Sequence, residues 1–271
     1  MQTCFYRITC LSNMHMGSGD SNDSVIDLEV ERDPVLGEPT MYASGVKGAL
    51  RDFCSEIAGD ENAQEIHDIF GDAADKGKQG QYNFFSGDLL ARPVRVSNGS
   101  AAYVLATTPD LVNHILRKLQ AFGIFKALNP IPEINDGKIY SLASSERLQS
   151  VEGVAVTPYA GKEKVEGTLQ ALTGTKDLVI MGSKTLRDIA LPVMTHNVLE
   201  DHISKNLWYE EVVPHESIFG LMIRGPQGGA LSKYLCPGKD RCSVVQFGAG
   251  ATTGDGFTRV ELITEEGMTC E

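Results

Sequence analysis

The chain has 271 residues, of which 42% are hydrophobic and 22% charged, the composition of a folded globular protein. Its formal net charge of −12 argues against nonspecific nucleic-acid binding, which usually depends on a basic domain, so any RNA site must be a local groove. No apolar run approaches the roughly 20 residues of a membrane span, and the sequence shows no signal peptide. We therefore expect a cytoplasmic protein that contacts no membrane and whose six cysteines are free thiols.

The first predicted element is a strand over residues 3–11, followed by a predicted loop over residues 12–43. The loop begins with HMGSGD, in which Gly17 and Gly19 would let another molecule approach the backbone amides and form an anion-binding nest. Asp27 follows in polar sequence, and a carboxylate beside a bound phosphodiester suggests chemistry. The plainer interpretation is a tight turn between two strands.

A helix is predicted over residues 45–58, with Ser44 as its N-cap and with apolar residues recurring at helical spacing. That apolar face would comprise Val46, Leu50, Phe53 and Ile57. Lys47 and Arg51 are four residues apart and would lie on one side of the helix. Together with the open helix N-terminus they form a second candidate anion site, the alternative being an ordinary solvated face.

The rest of the chain alternates between predicted strands and helices, and Arg92 and Arg95 end one of these strands as candidate backbone contacts. Helices are predicted over residues 61–70, 162–173 and 184–190, and a further helix is predicted to begin at residues 108–109. Strands are predicted over 81–96 (with a bulge at Gly87), 102–107, 150–157, 177–181, 217–224, 243–247 and 257–263, with a hairpin over 196–213. Residues 225–241 and 248–256 are predicted to be glycine-rich loops.

This order of elements predicts an α+β fold, with the ferredoxin-like β-α-β-β-α-β arrangement carrying insertions as one compact solution. A parallel doubly wound sheet is less favoured, because the glycine runs do not each follow a strand and open a long helix.

Several enzyme classes lack their motifs. The sequence has no phosphate-binding loop, no complete dinucleotide fingerprint and no G-x-S-x-G elbow. Cys236 and Cys242 are too far apart for a usual zinc knuckle, and no histidine pair matches them. Glu210 and Glu211 could form a paired acid site, although such a pair more often caps an exposed strand end.

Several blocks of the sequence resemble one known family. Four blocks resemble the signature of CRISPR-associated RAMP proteins: His15–Asp20, Ile26–Arg32, Ser44–Arg51 and the glycine-rich run Gly248–Gly256. The segments 69–71, 87–95 and 207–214 narrow the resemblance to the repeated backbone subunit of type III-B (Cmr) effector complexes.

The resemblance implies a single RAMP-type domain over residues 1–271, with an RRM-like, ferredoxin-type palm, a thumb hairpin within about 194–213 and a variable insertion at about 125–195. It implies a homo-oligomeric filament along a CRISPR guide RNA, contacts with other effector subunits and cleavage of paired single-stranded target RNA. In the family pattern, Asp27 occupies the position of the cleavage residue and would bind a divalent metal (Mg²⁺ or Mn²⁺). Glu211 occupies the position of a second carboxylate near the cleaved bond. The implied guide-RNA contacts are His15, Gly17, Ser18, Gly19, Ser44, Lys47, Gly48, Arg51 and Gly250.

Two alternatives share most of this evidence. The chain could be a non-catalytic RNA-binding scaffold of the same complex, or the related type III-A backbone subunit. A third alternative, from a different class, is a small-ligand protein whose glycine turns hold a phosphate.

Overall fold

The structure is a computed structural model that describes the chain except residues 22–24, 62, 73–77, 143–146, 201–202, 238–241 and 265–271. The side chains of residues 20, 21, 199 and 200 are also not described. The predicted helix over 61–70, hairpin over 196–213 and loop over 225–241 each include residues outside the described part.

Strands dominate the described chain. They are β1 (Gln2–Cys10), β2 (Gly17–Ser21), β3 (Leu28–Val30), β4 (Thr40–Met41), β5 (Asn83–Phe84), β6 (Gly87–Asn98), β7 (Tyr103–Thr107), β8 (Ile139–Ser141), β9 (Ser150–Val151), β10 (Val154–Pro158), β11 (Leu178–Met181), β12 (Val193–Glu200), β13 (Ile203–Glu211), β14 (Ile218–Gly225), β15 (Cys242–Gln246) and β16 (Phe257–Ile263). The α-helices are α1 (Ala43–Ala58), α2 (Gln64–Phe70), α3 (Pro109–Ala121), α4 (Glu166–Thr173), α5 (Ser183–Arg187) and α6 (Leu231–Leu235), with short 3-10 turns at Lys162–Lys164 and Ala251–Thr253.

The main sheet is built around β1, the first strand of the chain. β1 pairs antiparallel with β14 on one side and with β16 on the other, and the strand order is β15-β16-β1-β14-β6, continuing through β7, β11, β8, β10 and β9. Because successive strand residues face opposite sides, Leu221 of β14 enters the core beneath α1, whereas Met222 enters the core beneath α3. The fold is therefore a mixed α/β structure with apolar cores on both faces of one sheet.

A second, smaller sheet has the order β12-β13-β3-β2. Its long hairpin, β12–β13, confirms the predicted excursion, and β13 pairs in parallel with β3 through Glu210 and Leu28. This pairing places the segment after Gly17–Gly19 against the base of the hairpin.

Four predictions about elements need correction. The predicted loop over 12–43 contains β2, β3 and β4, and the loop over 225–241 contains α6. Tyr42, not Ser44, occupies the N-cap position of α1. Ile57 is exposed, although Val46 and Leu50 on the same predicted face of α1 are buried. Among the described residues, no helix is long and apolar enough to cross a membrane.

Candidate nucleic-acid interface

An open cleft of about 730 Å³ lies where three distant parts of the chain meet. Its lining comes from residues 15–19 before and within β2, from the exposed side of α1 at residues 45, 48, 49 and 52, and from residues 246, 248 and 249 after β15. β3 and the base of the hairpin contribute the remaining wall. The two glycine-rich segments at opposite ends of the chain are therefore neighbours.

The contact between these two segments depends on a glycine. Gly248 has a φ of +80°, and a Cβ atom there would lie 2.2 Å from the carbonyl oxygen of His15. The same carbonyl accepts a hydrogen bond of 2.9 Å from the amide of Ala249. Only glycine combines this backbone conformation with so close an approach. Gly250, with a φ of +79°, starts the next turn and does not line the cleft in the described structure.

The predicted anion nest at residues 17–19 is an extended segment. Gly17 begins β2, where it pairs with Val30, and of the two glycines only Gly19 has a positive φ. Gly17, Ser18 and Gly19 are exposed and line the cleft as predicted, but the segment is a strand and not a closed turn.

The two basic residues of α1 lie on a different side of the helix from the cleft. Residues 45, 48, 49 and 52 face the cleft, while Arg51 donates to the carbonyl of Gly71 at 3.2 Å. Each residue advances by 100° around a helix, so Lys47 and Arg51 occupy the flank between the cleft face and the core face. Ser44 is exposed at the start of the same helix.

The charged side chains that line the cleft are mainly acidic. They comprise Glu29, Glu31, Asp52 and Glu210, with His15 beside them, and no lysine or arginine lines the cleft in the part of the chain that the structure describes. The described cleft wall therefore offers carboxylate hydrogen-bond acceptors more than positive charge.

Asp27 is exposed and is held by the base of the hairpin. Its amide donates to the carbonyl of Tyr209 at 3.1 Å, and its Oδ2 atom accepts from the amide of Tyr209 at 2.8 Å. This two-way link fixes the carboxylate relative to β13 while leaving it accessible to solvent.

Glu211, the second carboxylate that the resemblance implies near the cut, is buried. Its Oε2 atom accepts from the amide of Val30 at 3.2 Å, and its Oε1 atom pairs with Arg32 at 2.5 Å. The carboxylate thus ties β3 to β13 and does not face the cleft. Because successive side chains of a strand face opposite sides, Glu210 faces the cleft instead. The two-residue repeat of a strand could have distinguished Glu210 from Glu211 in the sequence.

His15 is buried against the base of the hairpin. Its Nδ1 atom lies 2.7 Å from the carbonyl oxygen of Glu211 and 3.4 Å from Oε1 of Glu210. The other carboxylate oxygen of Glu210 lies 3.1 Å from Nε2 of His196, whose ring stacks on Trp208 at 5.1 Å. Glu210 therefore links the start of β2 to the hairpin, a role not predicted from the sequence.

The structure contradicts the predicted RNA contact at Arg92. This residue is only 2% exposed and donates two hydrogen bonds of 2.7 Å, to the carbonyls of Leu186 and Ile189. Its guanidinium also lies 3.4 Å from Glu38, which is likewise buried. Arg95, three residues on, is exposed but does not line the cleft.

No cluster of three or more potential metal-binding side chains is found among the described residues. Mg²⁺ commonly takes one or two protein carboxylates and completes its shell with phosphate oxygens and water. Among the described residues, the donors around Asp27 therefore do not make a complete metal site without ligands from a bound molecule.

Gly48 provides a test of the cleft. It lies within α1 on the cleft side, with open space around the position of a Cβ atom. We expect Gly48→Ala to stabilise the fold by about 0.5–1 kcal/mol, since glycine is unfavourable inside a helix, and to weaken RNA binding because the methyl group enters the cleft. Urea unfolding and filter binding measure the two effects.

Gly167→Ala is the matched control. Gly167 lies in α4, also has open space around it, and does not line the cleft. It should raise stability and leave RNA binding unchanged. Equal binding by both variants would exclude the cleft face of α1 from the interface.

Comparisons with known proteins agree with this architecture. Residues 7–257 match the RAMP superfamily. A curated relative, the CRISPR system Cmr endoribonuclease Cmr4 of Pyrococcus furiosus, is 28% identical over 291 aligned residues, which cover 96% of each chain. The CMR subunit Cmr4 of Saccharolobus solfataricus is 30% identical over 124 residues, covering 44% of this chain and 39% of that protein.

Two solved structures share the fold over nearly the whole chain. A chain of the type III-B Cmr-beta complex bound to cognate target RNA superposes with a TM-score of 0.75 at 20% identity, covering 97% of this chain and 98% of its own. Oligomeric Cmr4 from Pyrococcus furiosus gives a TM-score of 0.71 at 21% identity, with the same coverage.

Proposed function

Because the chain belongs to the RAMP superfamily, we propose that it is the repeated backbone subunit of a type III-B CRISPR effector and that it cleaves target RNA paired to the guide. The observation that carries the cleavage proposal is Asp27, an exposed carboxylate that the backbone of Tyr209 fixes at the base of the hairpin. The full-length likeness to a Cmr endoribonuclease supports the same activity.

The strand order supports a ferredoxin-like palm. Six elements occur along the chain in the order β1, α1, β6, β14, α6 and β16, with other elements between them. Their four strands have the spatial order β16-β1-β14-β6, and neighbouring strands are antiparallel. This is the arrangement of a β-α-β-β-α-β unit. The β12–β13 hairpin would be the thumb, and the elements from β8 to α5 would belong to the variable insertion.

The cleft is the proposed guide-RNA site. Residues 17–19, 248 and 249 line it, and its carboxylates can accept hydrogen bonds from 2′-hydroxyls and base amino groups. Lys47 and Arg51 would reach phosphates from the flank of α1. Because few cations face the cleft, binding should depend less on salt than in a basic groove.

The proposed chemistry is attack by the target's own 2′-hydroxyl on the adjacent phosphorus, which leaves a cyclic phosphate. The hairpin would displace one target nucleotide and so allow the in-line geometry that this reaction needs. Asp27 would take up the proton of the 2′-hydroxyl. A divalent cation shared between Asp27 and RNA would supply charge stabilisation when bound.

The hairpin also suits a role in assembly. Val193, Met194, Ile203, Leu207 and Tyr209 expose apolar side chains along it. Leu207 and Tyr209 lie on one face of β13, because alternate residues of a strand face the same side. Exposed apolar patches of this kind often mark contacts with another protein. We infer that it contacts a second copy of this chain in a cytoplasmic filament on guide RNA, beside other effector subunits.

A double substitution tests this contact. Ile203→Ser combined with Leu207→Ser should change the stability of the monomer by less than about 1 kcal/mol, because both side chains are exposed. Filament formation on guide RNA should weaken by at least roughly 30-fold, as expected when about 2 kcal/mol of interface energy is lost. Sedimentation velocity measures the change. Ile57→Ser, at an equally exposed site on α1, should leave assembly intact.

The experiment that tests the whole proposal is reconstitution. The complex is assembled on guide RNA, given matching target RNA with Mg²⁺ or Mn²⁺, and analysed on a denaturing gel. Evenly spaced products that disappear with EDTA are expected. Target binding without products would favour the non-catalytic scaffold, and purification as an RNA-free monomer would favour a phosphate-binding protein.

A further inference from the structure

Glu31 is the most enclosed of the four carboxylate residues that line the cleft. It is 9% exposed, whereas Asp52 is exposed and Glu29 and Glu210 are half-buried. Glu210 also has two histidine side chains beside it, at 3.4 and 3.1 Å. Glu31 therefore carries the carboxylate charge that has the least contact with water.

The two carboxylate oxygens of Glu31 differ in their partners. Oε2 accepts a hydrogen bond of 2.7 Å from the amide of Tyr42, the N-cap residue of α1. Oε1 accepts no hydrogen bond from any residue that the structure describes. Glu31 and Gly45, which belongs to the first turn of α1, both line the cleft. Oε1 is therefore the oxygen of Glu31 that a ligand in the cleft can engage.

Negative charge predominates around this carboxyl. The titratable side chains that line the cleft with it are His15, Glu29, Asp52 and Glu210. Burial raises the pKa of Glu31, and the hydrogen bond from Tyr42 and the charge of His15 oppose that shift only in part. Arg32, the next residue, pairs with Glu211 instead. A bound phosphodiester would add negative charge and displace water, and both effects favour the neutral form of a carboxyl.

We propose that Glu31 binds the guide RNA as a neutral carboxylic acid, an inference that rests on the proposed function. A protonated carboxyl can donate one hydrogen bond, and here Oε1–H donates to a phosphate oxygen of the guide. Oε2 keeps the hydrogen bond from the amide of Tyr42. The proton comes from the solvent, so that each subunit takes up one proton when it binds. Neutral Glu31 removes one of the negative charges that would otherwise repel a polyanion from this cleft.

Guide binding should therefore weaken as the pH rises. The bound state holds one proton more than the free protein wherever the free carboxyl is charged and the bound carboxyl is neutral. Over that range the affinity falls by up to roughly tenfold per pH unit. At lower pH both states are protonated, and the affinity no longer depends on this group.

Calorimetric titration of the full chain with guide RNA tests this. Affinity is measured at constant salt between about pH 5.5 and 8.5, and the heats in buffers of different ionisation enthalpy give the number of protons taken up. The variant is Glu31→Gln, which has the same shape, stays neutral at every pH and can still accept from the amide of Tyr42. Asp52→Asn is the matched control, because it removes an exposed carboxylate from the same cleft.

The wild type should take up about one proton per bound subunit in the range where its affinity depends on pH. Glu31→Gln should take up none, should match the wild type at the acidic end and should bind at least roughly tenfold more tightly at the alkaline end. Asp52→Asn should keep the proton uptake of the wild type.

Three results would overturn the proposal. They are guide binding by the wild type without proton uptake, unchanged uptake in Glu31→Gln, which would assign the proton to another group such as His15, and weaker binding by Glu31→Gln at every pH, which would show that RNA needs the charged carboxylate. A wild type that binds no guide RNA at any pH overturns the proposed function instead.

Discussion

Asp27→Asn should abolish most target cleavage while the complex still forms and still binds target RNA. The substitution removes the negative charge but keeps an oxygen that can accept the hydrogen bond from the amide of Tyr209. The backbone of residue 27 also keeps its bond to the carbonyl of Tyr209. Loss of a group that takes a proton in the transition state typically costs 10²- to 10⁴-fold in rate. Single-turnover cleavage on a denaturing gel measures this.

Asp68→Asn is a suitable control. Asp68 is a partly exposed carboxylate on α2 that pairs with Lys78 at 3.7 Å and does not line the cleft. Its replacement should leave both rate and affinity unchanged. Retention of more than about a tenth of the wild-type rate by Asp27→Asn would move the base to another residue, with Glu29 and Asp52 as the next candidates on the cleft wall.

The elements that local sequence predicted well are those with clear periodicity. Val46 and Leu50 recur at helical spacing and define α1, and the run from Leu207 to Glu211 marks the returning strand of the hairpin. Thr108 caps α3 by accepting from the amide of Leu111, as the Thr-Pro start of that helix indicated.

What local sequence could not provide is the pairing of segments far apart in the chain. β1 lies between β14 and β16, more than 200 residues away, and no local pattern specifies those partners. The same limit applies to the cleft. The amide of Ala249 meets the carbonyl of His15 only because the sheet brings both chain ends together. The composition of Gly248–Gly256 suggested a close approach but not its partner.

Charge was the least reliable guide to the site. Lys47 and Arg51 were predicted to face a bound anion, yet the cleft side of α1 carries Gly45, Gly48 and Asp52. The charge of a residue does not show which side of a helix faces a groove. A helical wheel separates Lys47 and Arg51 from Gly45, Gly48 and Asp52 by position alone. Arg92 was also predicted to contact RNA but is buried, because a single arginine in a strand has no sequence signal for burial.

Arg92 and Glu38 lead to the largest expected effect on stability. Their side chains are 3% and 6% exposed, and the guanidinium also serves the carbonyls that end α5. Burial raises the pKa of Glu38, with Arg92 as the main opposing charge. Removing one member of a buried pair leaves the other charge uncompensated, which typically costs 3–5 kcal/mol.

We therefore expect Arg92→Met and Glu38→Leu each to lower the free energy of unfolding by about 3–5 kcal/mol, measured from urea titrations with the slope held in common. The double variant should cost clearly less than the sum of the two, because neither charge remains buried alone. Arg95→Met, which removes an exposed arginine of the same strand, should change stability by less than about 0.5 kcal/mol. If Arg92→Met kept its stability and lost guide-RNA affinity instead, Arg92 would return to the RNA interface, and the path of the guide across the protein would have to include α5.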